Sequence, residues 1–144
     1  MRRWLVYLIL IFAFSCKENK MRQTVRPSSK YSIARYGMVT GIKPRKIEYY
    51  KQLHARPWPQ VLAKIKECNI RNYSIYLQKI EDRYFLFSYF EYTGKDFDSD
   101  MKRMAADSMT QRWWKETDPC QLPLAEALKR HRIWTGMEEV FHFE

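Results

Sequence analysis

Tyr50 and His54 stand four positions apart, Asn72-Tyr73-Ser74-Ile75-Tyr76-Leu77 follows shortly after, and Gln111-Arg112-Trp113-Trp114-Lys115 comes later in the chain. Residues four apart on a helix leave it on the same face. An imidazole that can give or take a proton near neutral pH suits general acid–base work. Phenol hydroxyls and indole faces can hold a sugar, the indole stacking on its C–H face and Arg112 reaching for its hydroxyls. The chemistry these types allow is the movement of protons on a bound sugar, which needs neither a thiol nor a metal. Each signal also has a plainer reading. His54 can be a surface or core histidine that follows an aromatic, the tyrosines can be core, and the tryptophans can be helix-end packers. Neighbouring helical residues point about 100° apart, so Trp113 and Trp114 are not expected in the same core. In a strand, Tyr73 and Ile75 face one way and Ser74 and Tyr76 the other. One tyrosine is therefore expected at a pocket and the other beneath the helices.

These groups must be positioned by one domain, since the 144-residue length suits a single core. Residues 31–42 alternate Tyr36, Met38, Thr40 and Ile42 against Arg35, Gly37, Val39 and Gly41, which predicts a first strand. Residues 43–68 are helical in composition, but Pro57 and Pro59 predict two pieces with a bend at Arg56-Pro57-Trp58-Pro59, next to His54. Residues 72–79 and 84–92 read as a hairpin turning at Ile80-Glu81-Asp82-Arg83. Asp96, Asp98, Ser99 and Asp100 supply caps and negative charge for a helix that carries Met101, Met104, Ala105, Ser108, Met109 and Arg112. A connection over 117–132 holds Pro119, Pro123 and a short helix at 124–131, and residues 139–143 close as the last strand. The order β-α-β-β-α-β implies an α+β, ferredoxin-like sheet with its helices on one face. The other face is rich in Tyr, Phe and Trp, and a second copy packed sheet to sheet would cover it.

The first residues carry different signals. Arg2 and Arg3 precede an apolar run over 4–14 that ends at Ser15-Cys16, which is the order of a secretory signal and is too short for a membrane span. The small residue before Cys16 is similar to the lipobox of bacterial lipoproteins, in which the cysteine becomes the lipidated N-terminus. On that reading residues 1–15 are a signal peptide, 16–30 a basic tether and 31–144 the folded domain, with a lipid-anchored envelope location. If Met21 is the true start, the expectation is cytoplasmic. The net charge is +10, and Lys17, Lys20, Arg22, Arg26, Lys30 and Arg35 lie in or beside the tether. That places much of the excess where it meets anionic headgroups rather than nucleic acid. Cys68 and Cys120 are too far apart in sequence for a Cys-x-x-Cys site. Pairing and burial as free thiols both remain open for them.

Taken together, Tyr50-x-x-x-His54 with Trp58-Pro59, Asn72-Tyr73-Ser74-Ile75-Tyr76-Leu77, Gln111-Arg112-Trp113-Trp114 and Glu139-Val140-Phe141 resemble L-rhamnose mutarotase, from about Ile33 to the C-terminus. The resemblance implies a homodimeric α/β barrel that interconverts α and β anomers of a 6-deoxy pyranose, with no cofactor and no metal. It assigns His54 as proton donor and Tyr50, Tyr73, Trp113 and Trp114 as sugar-binding residues; hemiacetal chemistry then puts the expected acid, His54, at the ring oxygen. The sequence departs from the family after His54: Arg56-Pro57 stands where small or apolar residues are common, and Gln60 stands where Glu is frequent. Three other readings compete. An RNA-binding domain shares the element order, but Tyr84 occupies the place where its pattern needs glycine. A haem-handling monooxygenase on the same barrel would use His54 or His142 as axial ligand. An envelope sugar-binding lipoprotein would lack activity.

Overall fold

The computed structural model describes residues 33–143. The leader, Cys16 and the tether lie outside the described residues. Strand β1 (Ala34–Ile42) sits between β3 (Arg83–Tyr92) on one side and two short strands on the other, β4 (Gln121–Leu122) and β5 (Thr135–Met137). Strand β2 (Ile70–Ile80) pairs antiparallel with the far side of β3. All ladders are antiparallel. The expected β-α-β-β-α-β order is kept, with β4 and β5 together filling the place of the last strand.

The register decides which side chains meet the helices. Thr40 lies opposite Leu86, Met38 opposite Ser88 and Tyr36 opposite Phe90. Ile75 lies opposite Ser88, and Leu77 opposite Leu86. This face packs against α1 (Ile47–Ala55), α2 (Pro59–Glu67), α3 (Phe97–Ala106) and α4 (Ser108–Thr117). One buried cluster joins Ile42, Ile47, Tyr50, Leu86 and Cys120; a second joins Cys68, Ile70, Phe90 and Met104. Cys68 and Cys120 thus sit in separate clusters as buried free thiols, and burial raises the pKa of both.

Pro57 stops α1 because it disfavours helical backbone at Arg56, which lies at φ −138° and ψ 65°. Pro59 then starts α2 at a position where its missing N–H costs nothing. The predicted bend after His54 is therefore real. The single helix expected from residue 101 to 112 is corrected to two. Asp107 takes an extended conformation, and its carboxylate accepts from the Thr110 N–H at 2.8 Å, capping α4 and ending α3. The strand expected at 139–143 is also corrected. The ladder with β1 ends at Met137 opposite Gly37, and residues 138–143 form no helix or strand. Val140, Phe141 and Phe143 stay exposed. The short helix expected at 124–131 is a single turn, α5 (Ala125–Leu128).

Candidate active site

α1 turns Tyr50 and His54 to the same side, as their spacing requires. Their rings stack with centroids 4.1 Å apart. His54 Nδ1 lies 2.9 Å from the Tyr50 carbonyl oxygen. A carbonyl only accepts, so Nδ1 carries the proton and donates it, and Nε2 is the nitrogen left for chemistry. From α4, Trp113 meets His54 edge-on at 5.2 Å, and Trp58 at the head of α2 meets Trp113 edge-on at 5.4 Å. The Arg112 guanidinium lies 5.9 Å from the centroid of the Trp58 ring. The break between α1 and α2 thus places both His54 and Trp58 against one tryptophan.

Tyr50 is 5 % exposed and Trp113 is 7 % exposed, so both rings are buried beside His54. Tyr73 enters from β2 on the helix-facing side, its ring edge-on to Phe90 at 5.7 Å. The backbone irregularity between Arg71 and Ser74, with Asn72 at φ 48°, sets its angle. Tyr73 keeps 43 % of its surface open. Burial of the remainder pushes its hydroxyl up to about 12. The Tyr50 hydroxyl is raised further still, by burial first and then by the proximity of Tyr73, Cys120 and Asp118. Burial lowers His54 below its ordinary value, and the bond to the Tyr50 carbonyl only partly offsets this.

Of the residues singled out in the sequence, Tyr50 and Trp113 each meet the His54 ring, and Tyr73, packed on Phe90, lies near enough to raise the Tyr50 hydroxyl. Trp114 stands apart. It is 36 % exposed and makes no ring contact with this group, as the helical offset between neighbours requires. The two strand tyrosines part to opposite faces: Tyr73 lies on the helix-facing side against Phe90, whereas Tyr76 is exposed on the other face rather than packed under the helices. Sequence reading left Trp58 and Asp118 out of the site. The Pro-Trp-Pro break beside His54 was a usable signal for Trp58. Nothing in the spacing marked Asp118, whose carboxyl is desolvated and raised in pKa.

Two surface hollows lie elsewhere. One, of about 350 Å³, is lined by Asn69, Thr93, Gly94, Lys95, Asp96, Ser99 and Asp100. Asp100 already accepts from Asn69, Tyr92 and Arg103 there, so the group is a structural clasp. The other, of about 230 Å³, lies on the outer sheet face around Tyr89, Met137 and Phe141. Among the described residues, no group of three or more His, Cys, Asp or Glu side chains is placed to hold a metal ion.

The family model of L-rhamnose mutarotase matches residues 35–143. The chain belongs to the L-rhamnose mutarotase family. It is similar to the L-rhamnose mutarotase of Oceanobacillus iheyensis, at 30% identity over 110 residues, covering 76% of this chain and 98% of that one. It is 26% identical over 112 residues to that of Lactiplantibacillus plantarum, covering 78% of this chain and 100% of the relative. A crystal structure of an L-rhamnose mutarotase from Formosa agariphila superposes with a TM-score of 0.58 at 20% identity, covering 77% of this chain and 99% of that chain. That likeness places the fold. Membership makes the chain an isomerase of the mutarotase type, and the haem-binding and RNA-binding readings give way to it.

The envelope location is corrected by the same comparison. The family match begins at residue 35, and the relatives are L-rhamnose mutarotases matched over nearly their whole length. What ties this chain to them therefore includes nothing of the leader, and lipid anchoring in the envelope has no support. Among the described residues, no helix is long and apolar enough to cross a membrane.

Proposed function

We propose that this chain interconverts the α and β anomers of a 6-deoxy pyranose, L-rhamnose first among them, by acid–base ring opening in the cluster of Tyr50, His54, Tyr73 and Trp113. The observation that carries the reading is the His54 imidazole. It is packed between Tyr50 and Trp113, with Nδ1 tied to a carbonyl and Nε2 left as its one reactive nitrogen. Anomer exchange needs a proton moved off the anomeric hydroxyl and another moved onto the ring oxygen. An imidazole and a phenol at adjoining positions supply both transfers. Trp113 is the apolar wall against which a sugar's C–H face can stack, and the partly exposed Trp114 and Arg112 border the same helix. Trp58 braces Trp113 through an edge-on contact.

The test is saturation-transfer NMR on the anomeric protons of equilibrated L-rhamnose, with and without the full chain. Faster transfer between the α and β signals is the expected result, and L-fucose and D-glucose rank the substrates. A folded protein that accelerates exchange for none of the three would sink the reading.

We infer that the working unit is a homodimer with the outer sheet faces together. Tyr76 and the apolar residues near the C-terminus support this, with Phe141 82 % exposed. An uncovered surface of that kind is rarely left open to water. Light scattering should give twice the 17.6 kDa of one chain. A Phe141→Glu, Phe143→Glu double variant should shift it toward the monomer. A wild-type monomer at micromolar concentration would remove the dimer from the proposal.

A further inference from the structure

We propose that Tyr49 and Glu116 form a clasp that seats α1 on α4 and thereby holds His54 in place against Trp113, which makes the two positioning residues for anomer exchange. The proposal rests on the mutarotase reading and extends it to side chains that do not touch the sugar.

The two helices meet at two points. Trp113 and Glu116 stand three positions apart on α4, so both leave it on one face. Trp113 meets the His54 ring edge-on at 5.2 Å, and Glu116 Oε2 accepts from the Tyr49 hydroxyl at 2.5 Å. Along α1, Tyr49 and His54 are separated by about 7.5 Å of helix rise. A single contact would leave α1 free to pivot on α4, whereas a second one more than a turn away sets the angle between them. Among the described residues, the bond from Tyr49 to Glu116 is the one hydrogen bond between these helices, and no ion pair joins them.

Both ends of the clasp are anchored. The Lys43 N–H donates to the Cys120 carbonyl at 2.9 Å and Lys43 Nζ to the Pro119 carbonyl at 2.7 Å, which ties the chain just after α4 to the end of β1. The Cys120 thiol donates to the Glu116 carbonyl at 3.4 Å. On the other helix, Lys46 Nζ lies 5.2 Å from the centroid of the Tyr49 ring. The bond to the Glu116 carboxylate, with burial adding to it, raises the Tyr49 hydroxyl above its ordinary value, so the phenol keeps the proton that it donates. Tyr49 is 37 % exposed on the flank of α1, whereas its neighbour Tyr50 is buried and stacks on His54. An exposed polar pair adds little to overall stability. Its effect therefore falls on how the rings of Tyr50, His54 and Trp113 sit together.

The experiment is the imidazole NMR spectrum of the full chain without sugar, paired with kcat and KM for L-rhamnose anomer exchange, on wild type, Tyr49→Phe, Glu116→Ala and Glu116→Gln. The sequence holds three histidines, His54, His131 and His142, and the His54 signals are those missing from His54→Gln. Ring currents of Tyr50 and Trp113 make those signals sensitive to the seating of α1. Tyr49→Phe and Glu116→Ala break the same bond from opposite helices, so one serves if the other folds poorly. Both are expected to move the His54 signals and leave those of His131 and His142 in place. In both, kcat should fall about tenfold with KM changed less, since a small misplacement of a reacting group is felt in the reaction more than in binding. Glu116→Gln keeps an oxygen that accepts from Tyr49, and should recover the wild-type signals and most of the rate. Unmoved His54 signals in the two breaking variants would overturn the clasp, as would moved signals with kcat unchanged. A wild type that accelerates exchange of no sugar overturns the mutarotase reading, and the clasp's role in exchange with it. Failure of the clasp alone is told apart from this because it leaves wild-type exchange fast.

Discussion

Replacing His54 with glutamine is expected to slow enzymatic anomer exchange by about 10²–10⁴-fold, the usual contribution of a positioned proton-transfer group. Glutamine can still reach toward the Tyr50 carbonyl with an N–H, but it cannot cycle a proton at the atom that meets the sugar. The stack on Tyr50 and the edge contact with Trp113 are lost. Contacts of that kind contribute roughly 0.5–1.5 kcal/mol each beyond area burial, so the thermal midpoint should fall by about 3–10 °C. The measurement is NMR exchange of L-rhamnose paired with thermal unfolding of the same sample. A folded His54→Gln protein with wild-type exchange would strip His54 of its chemical role. A large fall in the thermal midpoint that accounts for the lost rate would make it a packing residue.

How much of this site was legible in the sequence depends on how local each contact is. Tyr50 and His54 are one helical turn apart, so their meeting follows from helix geometry alone. The break after His54 was equally readable, because Pro57 and Pro59 act on the residue directly before each. The separate fates of Trp113 and Trp114 follow from the rotation between neighbours in a helix. What joins Trp58 to Trp113, and Asp118 to Tyr50, is tertiary, set by how α2 and α4 lie on the sheet, and no spacing in the chain encodes it. Asp107 shows a local signal overridden by another local signal. The apolar spacing ran through it, but its carboxylate offers Thr110 a cap that an unbroken helix would not allow. The segment around Val140–Phe143 shows the opposite failure. Its alternation is that of a strand, but the ladder with β1 stops at Met137 opposite Gly37, and alternation alone does not supply the partner that a strand needs. The leader pattern is of a third kind, an address read from composition, and it led to a location that the comparison with relatives did not uphold.

Replacing Asp100 with alanine is expected to cost the fold about 3 kcal/mol, equivalent to a fall in thermal midpoint on the order of 10 °C for a domain of this size. Asp100 is 7 % exposed, and its carboxylate gathers three elements. Asn69 Nδ2 donates from the α2–β2 junction at 2.7 Å, the Tyr92 hydroxyl from the end of β3 at 2.8 Å, and Arg103 Nη2 from α3 itself at 2.6 Å. Tyr92 in turn accepts from the Asp96 N–H at 3.0 Å, which ties the head of α3 to the sheet. Gly94 passes so close to this group that a Cβ there would lie 2.3 Å from the Tyr92 hydroxyl oxygen, so the turn tolerates no side chain. The donors from Asn69, Tyr92 and Arg103 hold the Asp100 carboxyl below the usual carboxylate range. The pH dependence follows from that direction. A carboxyl whose folded value is depressed contributes stability that is fully present above its unfolded value near 3.9 and is lost as pH falls toward the folded value. The difference in stability between wild type and Asp100→Ala should therefore hold steady at neutral pH and shrink in acid below about pH 4. Thermal unfolding of both proteins between pH 3 and 7 measures it, and a difference that does not change with pH would mean the charge is not what holds the clasp together. Anomer exchange by the Asp100→Ala protein that stays folded should remain near wild type, because Asp100 makes no contact with the rings around His54. His54→Gln should show the reverse, a stable fold with little activity. Only that pairing of results separates residues that build the sheet-and-helix frame from those that act on the sugar.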